Sequence, residues 1–80
     1  MYPKIKDIKI VDDYILMVEF DNGTKKKYDF KTKFHDAIFK DLRNPMLFKQ
    51  AKIDPGGYGI SWNDDIDISE YELWKNGVAI

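Results

Sequence analysis

Residues 14–24 constrain this chain more than any other stretch. Tyr14, Leu16, Val18 and Phe20 alternate with Ile15, Met17 and Glu19, and successive side chains on a strand point to opposite faces. Apolar residues dominate both sets, which predicts a central strand covered on both sides for at least part of its length. Asp21, Asn22, Gly23 and Thr24 follow at once. Asn-Gly between two strands predicts a hairpin with a type I′ turn, in which both central residues take positive φ. Residues 25–30 form the returning strand, with Lys26, Tyr28 and Phe30 on one face and Lys25, Lys27 and Asp29 on the other. Three consecutive lysines also discourage pairing with a foreign edge.

The flanking segments extend this hairpin. Ile5, Ile8, Ile10 and Val11 suggest a first strand, but the step from Ile5 to Ile8 breaks period two, so a bulge or a late start is expected. Asp12 and Asp13 signal a turn. From Thr32 the period changes: Phe34, Ile38, Phe39 and Leu42 fall at helical spacing, with Asp36 as the expected N-cap or first-turn acid. Asn44-Pro45 ends that helix and opens a second, one-turn helix holding Met46, Leu47 and Phe48. Residues 50–54 and 58–62 read as two short strands joined by Pro55-Gly56-Gly57. Ser69 and Glu72 have the spacing of a capping box, Ile68 and Leu73 that of a hydrophobic staple, and Gly77 suits a left-handed helix stop on which Val78 packs back toward Leu73. These signals predict a helix over 70–76. The resulting order, β-β-β-α-β-β-α, is that of an α+β fold: a small antiparallel sheet with two or three short helices in a single domain, 1–80.

Composition sets the limits. Eighty residues bury only about 60–65% of the unfolded surface, so the core is thin. Apolar residues make up 44% of the chain and aromatics 15%, enough for a globular core. The absence of cysteine excludes disulfides, thiolate catalysis and cysteine-bound zinc. The N-terminal residues lack the apolar centre of a signal peptide, and no apolar run approaches the ~20 residues needed to span a bilayer. A cytoplasmic protein that avoids membranes is the expectation. The net charge of −1 conceals an asymmetry: residues 1–53 carry a balance of +4 and residues 54–80 one of −5. The two halves attract each other within one fold, or present a dipolar surface to a partner or a second copy.

Tests for chemistry fail one after another. Asn63, Asp65 and Asp67 match the first positions of a calcium loop, but Ile68 stands where glycine is required and Trp74 where the bidentate glutamate should be. No acid has an evidently apolar setting that would raise its pKa for acid–base hydrolysis. His35 is the only histidine, Ser61 and Ser69 are the only serines, and Ser69 already has a capping role. Gly56-Gly57 follows proline in a turn and lacks the Lys-Ser/Thr of a phosphate loop. No catalytic residue, metal or cofactor is assigned, and an enzyme is not expected. Two binding surfaces remain. Lys25, Lys26, Lys27 and Lys31 beside Tyr28 could track a nucleic-acid backbone, a less favoured reading for a slightly acidic chain. Tyr58, Trp62 and Trp74 could line a ligand pocket, although such residues more often form the core of a small domain.

Taken in order, several short patterns resemble the bacterial domain of unknown function family 2442. They are Pro3 with the following Ile/Lys alternation; Tyr14, Leu16, Val18 and Phe20 leading to Asn22-Gly23; Tyr28-Asp29; Phe39 and Leu42; Phe48; Ile60 and Trp62; and Asp67-Ile68-Ser69 with Leu73. The resemblance covers nearly the whole chain. It implies a compact α+β protein with no established activity, of a kind sometimes described as ligand-binding. It also implies a gene beside another small uncharacterised family, domain of unknown function 4160, in a toxin–antitoxin-like pair. This chain would be the antitoxin-like member. Where the family usually carries glycine after the tryptophan, this chain has Asn63, Asp64 and Asp65.

The expectation is therefore a non-catalytic protein-interaction module whose partner is a protein, with a small toxin-like neighbour product as the candidate and a homo-oligomer as a further option. Ile15, Met17, Asp64 and Asp65 are the candidate contact residues. The alternative is a small-molecule-binding domain with Tyr58, Trp62 and Trp74 around its pocket.

Overall fold

A computed structural model describes residues 2–80. The elements are β1 (Ile5–Asp12), β2 (Ile15–Phe20), β3 (Lys25–Asp29), α1 (Pro45–Phe48), β4 (Lys52–Ile53), β5 (Gly59–Ser61), β6 (Asp67–Ser69), α2 (Glu70–Asn76) and β7 (Val78–Ala79). Short 3₁₀ turns occupy Phe30–Lys33, Lys40–Arg43 and Pro55–Gly57. The α+β class holds, and the strands divide into two antiparallel sheets, ordered β1-β2-β3-β7 and β4-β5-β6.

In the larger sheet β2 is central, and its burial alternates as the sequence requires: Leu16, Val18 and Phe20 are fully buried while Ile15, Met17 and Glu19 are half-buried. The anticipated irregularity of β1 takes the form of two register shifts. Lys6 is extra between the pairs Ile5–Phe20 and Asp7–Glu19, and Val11 is extra between Ile10–Leu16 and Asp12–Ile15. The first bulge brings Ile5 into phase with Ile8 and Ile10 on the core face, and the second carries Asp12 to the outer face beside Ile15.

Several local expectations need correction. Tyr14 is not the first residue of β2. It occupies the turn with φ +64°, a conformation that costs a non-glycine residue of order 1–3 kcal/mol. The cost is offset by its ring, which packs edge-on against Phe34 (4.9 Å between centroids) and Phe48 (5.5 Å), and by its hydroxyl, which donates to the Arg43 carbonyl.

The Asn22-Gly23 turn is not type I′, because only Gly23 has positive φ (+88°). The Gly23 amide donates to the Phe20 carbonyl and the Phe20 amide to the Thr24 carbonyl. This is a three-residue loop ending in a left-handed glycine, which shares the hairpin twist. Asn22 fixes it by accepting from the Thr24 amide at 3.0 Å.

Residues 32–43 form no α-helix. The amides of Asp36, Phe39, Leu42 and Asn44 donate three residues back, to Lys33, Asp36, Phe39 and Asp41, so the segment is a chain of tight turns. Asp36 accepts from the Ile38 amide. Leu42 is buried while Ile38 stays exposed. Asn44 caps α1 through the Met46 amide, with Pro45 in its first turn, as the sequence indicates.

At the C-terminus α2 has the expected limits, and Ser69 Oγ accepts from the Glu72 amide at 3.1 Å. The box is only half made: the Glu72 carboxylate turns away to accept from the Tyr28 hydroxyl (2.9 Å) and the Asn76 amide (2.7 Å). Gly77 is extended (φ −68°, ψ 152°) rather than left-handed, because the chain runs straight on into β7. Val78, at 67% exposure, pairs with Lys27 instead of folding back on Leu73.

The core lies between the two sheets. Leu16, Val18 and Phe20 face Ile60, Trp62 and Ile68, with Phe30, Leu42, Phe48 and Leu73 filling the space between.

Two glycines offer a calibrated test. A Cβ at Gly23 meets nothing within 4 Å, so Gly23→Ala pays only for positive φ and should cost about 1 kcal/mol. A Cβ at Gly57 (φ +75°) would lie 2.4 Å from the Ile5 carbonyl oxygen and 2.9 Å from its nitrogen. Gly57→Ala should therefore cost at least about 3 kcal/mol. Urea midpoints check the order, and equal losses would contradict the close approach.

Candidate functional site

Hairpin register places the charges of the larger sheet's outer face in rows. Asp12, Ile15 and Asp29 stand side by side across β1, β2 and β3. The next row is Lys9, Met17 and Lys27, and the third is Asp7, Glu19 and Lys25. Both helices and the smaller sheet pack on the Leu16 face. Among the described residues, no element crosses the Met17 face. Ile15 and Met17 are thus only partly buried, flanked by exposed lysines and aspartates. The expected cover on both faces of β2 is supplied on one.

Asp64 and Asp65 lie at the tip of the β5–β6 loop, both exposed. The loop is built by Asn63, whose side-chain oxygen accepts from the amides of Asp65 and Ile66 at 2.9 Å each. The sequence reading missed the buried Ile66 and the strand β6 beyond it. The alternation of Ile66 and Ile68 with Asp65 and Asp67 was the available signal. An open polar groove of about 550 Å³ runs beside this loop, lined among others by Lys52, Asp54, Ser61, Asp64 and Asp67. Within it the Ser61 hydroxyl donates to Asp54 Oδ1 at 2.7 Å. No group of three His, Cys, Asp or Glu side chains among the described residues has an arrangement that could hold a metal ion.

Tyr58, Trp62 and Trp74 are not brought together around a cavity. Trp62 is 5% exposed, packs against Phe30 (5.3 Å) and Phe48 (6.1 Å), and donates from Nε1 to the Phe48 carbonyl at 3.0 Å. Trp74 packs edge-on against Phe20 at 5.1 Å. Tyr58 is 60% exposed, with the Lys4 ammonium 4.4 Å above its ring. The core interpretation therefore accounts for Trp62 and for one face of Trp74.

Alternation also divides the lysine run. Lys25 and Lys27 point outward, while Lys26 turns to the core side, places its ammonium 4.1 Å over the Trp74 ring and donates to the Trp74 carbonyl. A stacking surface with three free lysines does not form. His35 is exposed.

Among the described residues, the strongly perturbed group on the core side is Tyr28. Burial first, and then its hydrogen bond to Glu72, push the phenol above its ordinary range. Together these features define a small two-sheet α+β domain with one face closed by its core and the other left bare.

The chain belongs to the family described as "Protein of unknown function (DUF2442)", which matches residues 5–79. No curated protein and no solved structure matches it.

Because the folded state holds the Tyr28 proton more tightly than the unfolded chain does, its stabilising contribution is complete below about pH 10 and declines as pH rises above that value. Tyr28→Phe should cost about 1 kcal/mol at neutral pH and flatten the alkaline loss. Urea titrations of both proteins from neutral to strongly alkaline pH measure this, and an unchanged alkaline slope in the variant would refute it.

Proposed function

We propose that the domain is a non-catalytic protein-interaction module and that the outer face of its larger sheet is the contact surface. The observation that carries this reading is the composition of that face: Ile15 and Met17 remain partly exposed at its centre, flanked by exposed charges in register. A β-sheet face is stable when one side is solvated, but a solvated side normally carries polar residues at its centre. Apolar residues at the centre and charges at the rim are the usual composition of a protein contact. The exposed Asp64 and Asp65 form a second, acidic contact at the far loop. The finer reading follows the family resemblance: the partner is a small toxin-like protein encoded next door, and this chain is its antitoxin-like companion. The small-molecule alternative loses support because its three aromatic residues face different surroundings.

Co-expression with the neighbouring gene product and capture through a tag on either chain tests the reading. Met17→Asp should weaken capture at least about tenfold by placing a charge at the contact centre, with an unchanged circular dichroism spectrum. Undiminished capture by the variant would remove the outer face from the proposal, and absence of capture by the wild type would remove the neighbour as partner.

A further inference from the structure

The charges of the outer face are arranged so that the face complements itself. At the level of Ile15 the row reads Asp12, Ile15, Asp29, which is acidic, apolar, acidic. At the level of Met17 it reads Lys9, Met17, Lys27, which is basic, apolar, basic. The two rows are adjacent on the same face, because Ile15 and Met17 are two residues apart on one strand.

Two copies can lay these faces together about a two-fold axis in two principal ways. If the axis runs along the strands, each row meets its own kind, and Asp12 opposes Asp29 while Lys9 opposes Lys27. If the axis runs across the strands and passes between the Ile15 and Met17 levels, strand directions reverse and each acidic row meets a basic one. Asp12 then opposes Lys9 of the second copy, Ile15 opposes Met17, and Asp29 opposes Lys27, each contact occurring twice as two-fold symmetry demands. Long lysines opposite short aspartates suit the ~10 Å spacing of stacked sheets. Like-charge apposition is a strong bar to wrong arrangements, so the pattern selects one arrangement of the two.

We infer that the bare face closes on a second copy of this chain, with β2 antiparallel to its counterpart and the Asp12–Ile15–Asp29 row seated on the Lys9–Met17–Lys27 row. This rests on reading the outer face as an interaction surface and adds a second occupant: in the absence of the neighbour product, a second copy of the chain covers it. The contact is narrow, three strands wide and two rows deep at its centre. Its self-association is therefore concentration-dependent, and it weakens with salt because the paired charges lie at its rim.

A charge swap on β1 tests the register. Lys9→Glu alone places two acids opposite each other, and Asp12→Lys alone places two lysines opposite each other. Each should weaken self-association at least about tenfold, as read by sedimentation velocity over a concentration series. Mixing the two variants restores opposite charges at both β1 contacts, so a heterodimer should form with near wild-type affinity. Circular dichroism confirms that each variant is folded. A wild-type protein that stays monomeric at every concentration, single swaps that leave association unchanged, or a mixture that fails to associate would each overturn the inference. Loss of partner capture by Met17→Asp alongside a monomeric wild type would leave the interaction surface standing and remove only the second copy. Unaffected capture together with a monomeric wild type would remove both.

Discussion

Phe30 is the contact on which the two sheets depend. It is fully buried at the end of β3, and its ring lies 4.8 Å from Tyr28, 5.7 Å from Phe39, 5.4 Å from Phe48 and 5.3 Å from Trp62. Those four neighbours come from the larger sheet, the chain of tight turns, α1 and the segment just after β5. The two sheets share no strand pairing, so side-chain packing joins them. Aromatic pairs at such spacings contribute about 0.5–1.5 kcal/mol each beyond their area. A chain of this length has about 4–12 kcal/mol in total, which makes the cluster a large share of the whole. The hydrogen bond from Trp62 Nε1 to the Phe48 carbonyl fixes the orientation of the ring that Phe30 abuts.

The charge asymmetry along the chain is partly spent inside the fold. Lys4 pairs with Glu70 at 2.9 Å, with both side chains substantially buried, and lies over Tyr58. Lys26 lies over Trp74. Two cations of the basic N-terminal portion are thereby committed to the acidic C-terminal one, close to α2. An ion pair that solvent still reaches contributes little by itself, about 0–1 kcal/mol. Its role is chiefly to fix where the helix sits. Among the lysines left over, Lys9, Lys25 and Lys27 lie on the bare face.

Elements with a local cause were legible from the residues. The alternation of residues 15–20, the Asn44-Pro45 start of α1 and the Ser69 start of α2 each rest on interactions within a few positions, and each appears where expected. Two of the failures involve distant partners. Tyr14 leaves β2 because Phe34, Phe48 and Arg43 hold it in the turn. Glu72 abandons the cap because Tyr28 competes for it. Residues 32–43 have helical spacing but settle as tight turns that bury Leu42 and leave Ile38 in water. The candidate face was half legible: alternation put Ile15 and Met17 together, and Lys25, Lys27 and Asp29 together, but two bulges hid the rows to which Lys9 and Asp12 belong.

The pairing of β7 with β3 has a consequence for biosynthesis. Lys27 meets Val78 in the sheet, and the two leave the ribosome some fifty residues apart. At ordinary translation rates the hairpin of β1, β2 and β3 waits roughly 3–10 s with one edge open. During that interval the nascent chain carries a row of unsatisfied backbone groups, the kind of template on which neighbouring polypeptides aggregate. The lysine run lies on that strand. Its charges repel other nascent chains until β7 arrives, so Lys25 and Lys27 serve first as a guard and later as parts of a finished surface, while Lys26 turns in over Trp74.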